Sequence, residues 1–239
     1  MVRYKKYLDI EVFEGKITNH QYPWHFHHCY TIIIVENGSI IYEFQDKSIR
    51  VDEFEVLFIE PFLVHRNIIS QLTKYKAIFL PNEYFDSQGQ YKIMTRIVNH
   101  PLAVDTIVGL LNKIELNYSK NELKDYIFKL CEYIDEPPLK NRDLCDMDTY
   151  KISKIDYGLP IKDLAKKAHL SKFHFQRKFK KKCGLTIGQL KQQEKTIMAK
   201  RLLENGKLST DVAYELGFFD QSHFIKYFKK MWATTPKNL

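Results

Sequence analysis

The 239-residue sequence predicts a two-domain α+β protein: an N-terminal β-barrel with two following helices, then an all-α domain of two helix-turn-helix units joined by a long helix. Three observations predict it. Short runs rich in Ile, Val, Tyr and Phe fill residues 8–80, and beyond them apolar residues recur at helical spacing. The last 80 residues contain one phrase twice, HFQRKFKK at 174–181 and HFIKYFKK at 223–230, at nearly the same distance after Asp163-Leu164-Ala165 and Asp211-Val212-Ala213. A repeat of about 48 residues marks one supersecondary unit used twice. Charge separates the halves: residues 151–239 carry 20 Lys and Arg against 7 Asp and Glu, and residues 1–150 carry 17 against 22. A strongly basic module behind a mildly acidic one points to a polyanion-binding domain joined to a domain with another task.

The first half gives strands at 8–13, 30–35, 40–44, 56–59 and 75–80, punctuated by Gly15, Asn37-Gly38, Gln45-Asp46-Lys47 and Pro61. Asn37-Gly38 between two such runs is a hairpin signal. Many short strands at this spacing suggest a closed barrel or sandwich. His25, His27 and His28 precede the Tyr30 run, and His65 follows Pro61. His25 and His27, two apart, share one face of an extended chain. With His65 they could hold a metal, or serve as structural or ligand-contacting histidines. Pro101 opens a helix carrying Leu102, Ile107, Leu110, Leu111 and Ile114, and a second helix over 122–134 presents Leu123, Tyr126, Ile127, Leu130 and Ile134 on one face. That stripe covers the barrel or meets a second copy of the chain. Glu136-Pro137-Pro138 ends the region, which sets a first domain at 1–135, a polar linker at 136–148 and a second domain at 149–239.

In the second half a short helix over 161–168 leads through His169-Leu170 to a helix capped by Ser171 and running to Lys182. Phe175 and Phe179 face inward with Leu164 and Ala168, a helix-turn-helix arrangement. Thr186 and Gln189 form a capping box opening a long helix to about Leu203, with Leu190, Ile197, Met198 and Leu202 as its apolar face. The second unit repeats the design: a helix over 210–216, Gly217 at the turn, Asp220 as cap, and an inward stripe of Phe224, Tyr227 or Phe228, and Met231. The outward faces carry the chemistry. Arg and Gln make bidentate contacts to base edges, and apolar groups meet the thymine methyl. Gln176, Arg177, Gln221, Ser222 and Lys226 supply those types, while Lys172, Lys180, Lys181, Lys229 and Lys230 are placed for phosphates.

Residues 161–236 resemble the AraC/XylS family of bacterial transcription regulators. The matching phrases are Asp163-Leu164-Ala165, Leu170-Ser171, Arg177-x-Phe179-Lys180, Val212-Ala213, and Gly217-Phe218-x-x-Gln221-Ser222-His223-Phe224-x-x-x-Phe228-Lys229, ending in Thr235-Pro236. The resemblance implies that Phe173, Gln176 and Arg177 contact bases from the first reading helix, and that Gln221, Ser222, Ile225 and Lys226 do so from the second. Ala233 replaces a common glycine after the second reading helix, and the chain stops at Leu239 where members often carry an aromatic residue and an arginine, so the last helix is expected to be short. Trp24-His25-Phe26-His27, Gly38 and Pro61-x-x-x-His65 look like a small cupin barrel. Metal-binding cupins usually carry a carboxylate four residues after the second His, where this sequence has Thr31.

These features together predict a regulator that binds double-stranded promoter DNA, not an enzyme, and most readily an activator. Its barrel senses a small-molecule effector through Trp24, His25, His27, Tyr42 and His65, with neither cofactor nor metal. It works as a homodimer with RNA polymerase. Two rival readings are a metal-dependent cupin enzyme fused to a DNA-binding module, and a regulator controlled by its own abundance or a protein partner. The four cysteines, Cys29, Cys131, Cys145 and Cys183, show no C-x-x-C pair, and no signal peptide or apolar span is legible; a cytoplasmic protein with no membrane contact is expected.

Overall fold

The computed structural model describes residues 2–85, 95–98, 100–133 and 159–239. The predicted linker and the lead-in at 150–157 lie outside the described residues. Among the described residues ten strands form two antiparallel sheets. They are β1 (Val2–Tyr7), β2 (Ile10–Ile17), β3 (His20–Gln21), β4 (Tyr30–Asn37), β5 (Ile40–Glu43), β6 (Ser48–Val51), β7 (Val56–Ile59), β8 (Arg66–Ile69), β9 (Thr73–Leu80) and β10 (Arg96–Val98). One sheet has the order β1-β2-β9-β4-β7-β10 and the other β3-β8-β5-β6.

The larger sheet is buried on both faces at its centre, which is why β4 reads YTIIIV, apolar but for Thr31. Side chains alternate across it. Ile33, Val35, Leu57, Ile59 and Tyr75 point into the barrel and meet Tyr42, Val51 and Ile69 of the smaller sheet. Ile32, Ile34, Val56, Phe58 and Ile78 point the other way, against helices α1 (Pro101–Glu115) and α2 (Lys120–Glu132). The apolar stripe of α2 therefore covers its own barrel. Ser119 and Glu122 close a capping box that starts this helix two residues earlier than expected.

Several strand expectations are corrected. The run 8–13 is not one strand: Leu8, at φ 53°, turns the chain between β1 and β2. Asn37-Gly38 does not close a hairpin, because β4 pairs with β7 and β9 while β5 pairs with β6 and β8. Gly38, at φ +87°, carries the chain from one sheet to the other, and a Cβ there would lie 2.7 Å from the Leu72 carbonyl oxygen.

The helical half contains α3 (Ile161–Lys167), α4 (Lys172–Cys183), α5 (Ile187–Glu204), α6 (Ser209–Glu215) and α7 (Gln221–Trp232). Side chains of Ser171, Thr186 and Asp220 accept from the first-turn amides of α4, α5 and α7, as the sequence predicts. Phe175 and Phe179 are buried with Leu164, and Phe224 and Phe228 with Val212 and Ala213. Tyr227 is instead 38% exposed, which assigns the inward position to Phe228. A 3-10 turn at Pro236–Asn238 ends the chain.

The face expected for α5 is also corrected. Its buried residues are Ile187, Leu190, Gln193, Thr196, Ala199 and Lys200, and Met198 is 46% exposed. Three polar side chains are inside because α5 packs on the barrel as well as on its own domain. Phe26 and Val64 of the barrel belong to the same core as Phe175, Phe179, Leu185 and Leu190.

Candidate DNA interface and effector cavity

The segment Pro23 to His28 is extended, and His25 and His65 exchange backbone hydrogen bonds of 2.9 Å each. Alternation then sorts its side chains. His25 and His27 turn into the barrel, and Phe26 turns toward the helical half. The His25 ring centroid lies 4.9 Å from that of His27 and 4.5 Å from that of His65. One ring nitrogen from each of the three lies within 4.8 Å of the others.

The hydrogen bonds of two rings fix their tautomers. Nδ1 of His25 lies 2.7 Å from the Pro23 carbonyl oxygen, and Nδ1 of His65 lies 2.8 Å from that of Leu63. A carbonyl only accepts, so each Nδ1 carries the proton and each Nε2 keeps a free lone pair. Burial holds the His25 imidazole down to about 4, and burial likewise lowers His27 and His65 well below the usual range. All three are thus neutral near pH 7. They line a cavity of about 80 Å³ together with Tyr42, Asn67 and Thr31. The Thr31 hydroxyl is buried and has no hydrogen-bond partner among the described residues.

Four of the five predicted effector contacts, His25, His27, Tyr42 and His65, come together here. Trp24 does not. It is on the opposite face of the extended segment, beneath the Arg66 guanidinium at 5.0 Å, and lines a separate groove. The helical half contributes four lining residues that were not anticipated there: Gln193 and Ile197 from α5, Met231 and Trp232 from α7. Gln193 and Trp232 carry no local signal for this position, because their barrel partners Phe26 and Tyr4 lie 167 and 228 residues away in the chain.

The three nitrogens fit a divalent transition metal in donor type, and carbonyl-anchored Nδ1 atoms are the usual support for ligating imidazoles. Metal–nitrogen bonds of about 2.0–2.1 Å need the donors closer than they stand. The His27 ring has no hydrogen bond among the described residues and packs against the rings of His25, His65 and Phe79.

On the helical half, the outer face of α4 presents Phe173, 81% exposed, with Lys172, Arg177, Lys180 and Lys181, while Gln176 is half-buried. On α7, Gln221, Ser222, Lys226, Lys229 and Lys230 are exposed. Ile225 is half-buried against the Phe224 and Phe228 cluster, so only part of it is available. Gln221 Nε2 donates to Ser209 Oγ at 2.8 Å, which aims its carboxamide across the turn. Phe219, 91% exposed, stands just before the cap of α7 and was not anticipated as a surface residue.

Comparison with known proteins follows the same division. Residues 7–112 match the pattern described as an AraC-like ligand binding domain, and residues 164–239 match a helix-turn-helix domain. The chain is 24% identical over 254 residues to the uncharacterized HTH-type transcriptional regulator YbfI of Bacillus subtilis, covering 91% of this chain and 86% of that one. It is 23% identical over 259 residues to the HTH-type transcriptional activator RhaS of Escherichia coli, covering 95% and 90%. Among solved structures, unsaturated fatty acid bound ToxT from Vibrio cholerae superposes with a TM-score of 0.61 at 17% identity, over 100% of this chain and 96% of that one.

Proposed function

The chain belongs to the AraC family of transcription regulators, with a helix-turn-helix DNA-binding domain behind a ligand-binding barrel, and on that premise we propose that α4 and α7 read two sites on one duplex while the histidine cavity takes the effector. The observation that carries the DNA reading is the repeated one: two capped helices, each burying a phenylalanine pair and presenting a cationic outer face. Phe173, Gln176 and Arg177 read bases from α4, and Gln221, Ser222, Lys226 and the exposed part of Ile225 read them from α7. Lys172, Lys180, Lys181, Lys229 and Lys230 grip phosphate. Arg177→Ala is expected to cost about 1–3 kcal/mol on a selected site and to relax preference at one base position. Equal weakening on selected and random duplexes would remove Arg177 from base reading.

The domains divide the work at 1–135 for sensing and 149–239 for DNA. The protein works in the cytoplasm as a homodimer that activates through RNA polymerase, the activating direction being that of the relative RhaS by name. Among the described residues no helix is long and apolar enough to cross a membrane.

A second reading has its own observation, the three histidine nitrogens within 4.8 Å. In it His25, His27 and His65 hold a divalent transition metal, which would supply a Lewis-acid centre in the barrel. Elemental analysis of the purified chain separates the two readings: stoichiometric metal that is lost in His27→Ala supports the second, and metal-free protein that binds promoter DNA supports the first.

A further inference from the structure

The hairpin of β5 and β6 ends beside the first reading helix. The Phe44 amide donates to the Lys47 carbonyl at 2.8 Å, which closes the turn over Gln45-Asp46. That turn rests on the C-terminal end of α4. Gly184 caps α4 at φ +72°, and a Cβ there would collide with the Gln45 carboxamide. The placement is held from behind by the core that Phe26 and Val64 share with Phe175, Phe179 and Cys183. Gln193 of α5 adds a clasp on the barrel backbone. Its Nε2 donates to the Phe26 carbonyl at 2.8 Å, and its Oε1 accepts from the Phe26 amide at 3.3 Å.

The turn sorts its charges. Lys47 lines an open groove of about 1080 Å³ with Arg177, Lys180 and Lys181 of α4. Asp46 lines the neighbouring groove instead, with Lys182. Glu43 is the acid of the first groove, and the Arg66 guanidinium already engages it at 2.5 Å. Lys47, Arg177, Lys180 and Lys181 are all exposed, and none is ion-paired among the described residues. Four such cations on one groove repel one another, and an anion laid between them relieves that repulsion.

We propose, on the reading of α4 as a base-reading helix, that the β5–β6 turn of the barrel is part of the DNA interface, with Lys47 joining Lys180 and Lys181 on one phosphodiester strand. The anion is the DNA backbone because the groove continues the cationic face of α4. The C-terminal end of a helix seated in the major groove lies against that backbone. Nothing on α4 has to move for this, since Lys172, Phe173 and Arg177 are exposed with the barrel in place. The barrel half is acidic as a whole, with 17 Lys and Arg against 22 Asp and Glu over residues 1–150, so its general field repels DNA. A favourable contact from this half therefore has to be local, and Lys47 supplies it.

The full chain and a duplex selected from a random pool test this. Lys47→Ala is expected to weaken binding about fivefold near 0.15 M salt and to lower the slope of log K against log salt by about 1, the counterion release of one phosphate. Lys47→Arg should keep both. Arg50 is the control: it is on the same hairpin, outside the groove and paired with Asp52 at 2.7 Å, and Arg50→Ala should leave the slope unchanged. Neutral methylphosphonates placed one at a time along the duplex should reveal one position at which the parent chain and Lys47→Ala bind alike. Equal losses in Lys47→Ala and Arg50→Ala would reduce the effect to the field of the barrel and overturn the contact. An unchanged slope in Lys47→Ala, with a lowered one in Lys180→Ala, would confine the interface to the helical half. A chain that binds no duplex, or whose slope neither substitution alters, defeats the reading of α4 itself and the barrel contact with it.

Discussion

Ala233 ends α7 in the left-handed region, at φ +53°, where families of this kind commonly place glycine. A Cβ in that conformation is strained by roughly 1–2 kcal/mol, while glycine brings extra freedom to the unfolded chain. Relief of the strain outweighs the cost of that freedom, so Ala233→Gly is expected to raise stability by about 0.5–1 kcal/mol, read as a higher urea midpoint. His25 carries a stability cost of another kind. Above its ordinary value of 6.5 the imidazole is neutral in the folded and the unfolded chain alike, and between 6.5 and about 4 only the unfolded chain takes the proton. Stability is therefore full above pH 6.5 and falls as pH drops toward 4, by on the order of 3 kcal/mol for this residue. His27 and His65 shift in the same direction. Denaturant titrations at pH 7 and pH 5 measure the loss, and His65→Asn should shrink it. Equal midpoints for the parent chain at the two values would contradict neutral burial.

At the scale of elements, what could be read in advance depended on how local the cause was. The boundaries of α4, α5 and α7 follow from Ser171, Thr186 with Gln189, and Asp220, side chains that satisfy amides within their own first turn. The strands β3, β6, β8 and β10 are two to four residues long, too short for period alone to mark them, and the partners of β3, β8 and β10 lie well away along the chain. The buried face of α5 was misread for a related reason. Gln193 and Lys200 look like solvated positions until Phe26 and Glu11 supply their partners, and Thr196 satisfies its hydroxyl on the Gln192 and Gln193 carbonyls of its own helix. The cluster of His25, His27 and His65 was legible through the two-residue spacing of the first pair; the departure of Trp24 follows from the same alternation carried one residue back. Lys172, Lys180 and Lys181 of α4 and Lys226, Lys229 and Lys230 of α7 are exposed. Lys180→Ala should weaken binding almost uniformly across sequences and lower the slope of log K against log salt by about 1. A change confined to one base position would move Lys180 from phosphate contact to base reading.

For the whole molecule, the decisive feature is that one core crosses from the barrel to the helices. Phe26, 1% exposed, and Val64 pack with Phe175, Phe179 and Leu190, and Trp24 and Phe62 add to the cluster at its edge. Domains joined only by a linker unfold separately, whereas domains sharing an apolar core lend each other stability up to the free energy of that interface. Phe26 is the barrel residue most enclosed by this core, and the Gln193 clasp fixes its backbone as well. Truncating it leaves a void between the halves. Phe26→Ala is expected to cost about 3–5 kcal/mol, as for other buried phenylalanines. The loss should also uncouple the halves. Calorimetry of the full chain should show one cooperative transition, and the variant two, with the helical half melting first because its remaining core is the smaller. Two transitions already present in the parent chain would mean that the shared core contributes little, leaving polar contacts such as Gln193 with Phe26, Lys200 with Glu11 and Tyr4 with Trp232 to join the halves.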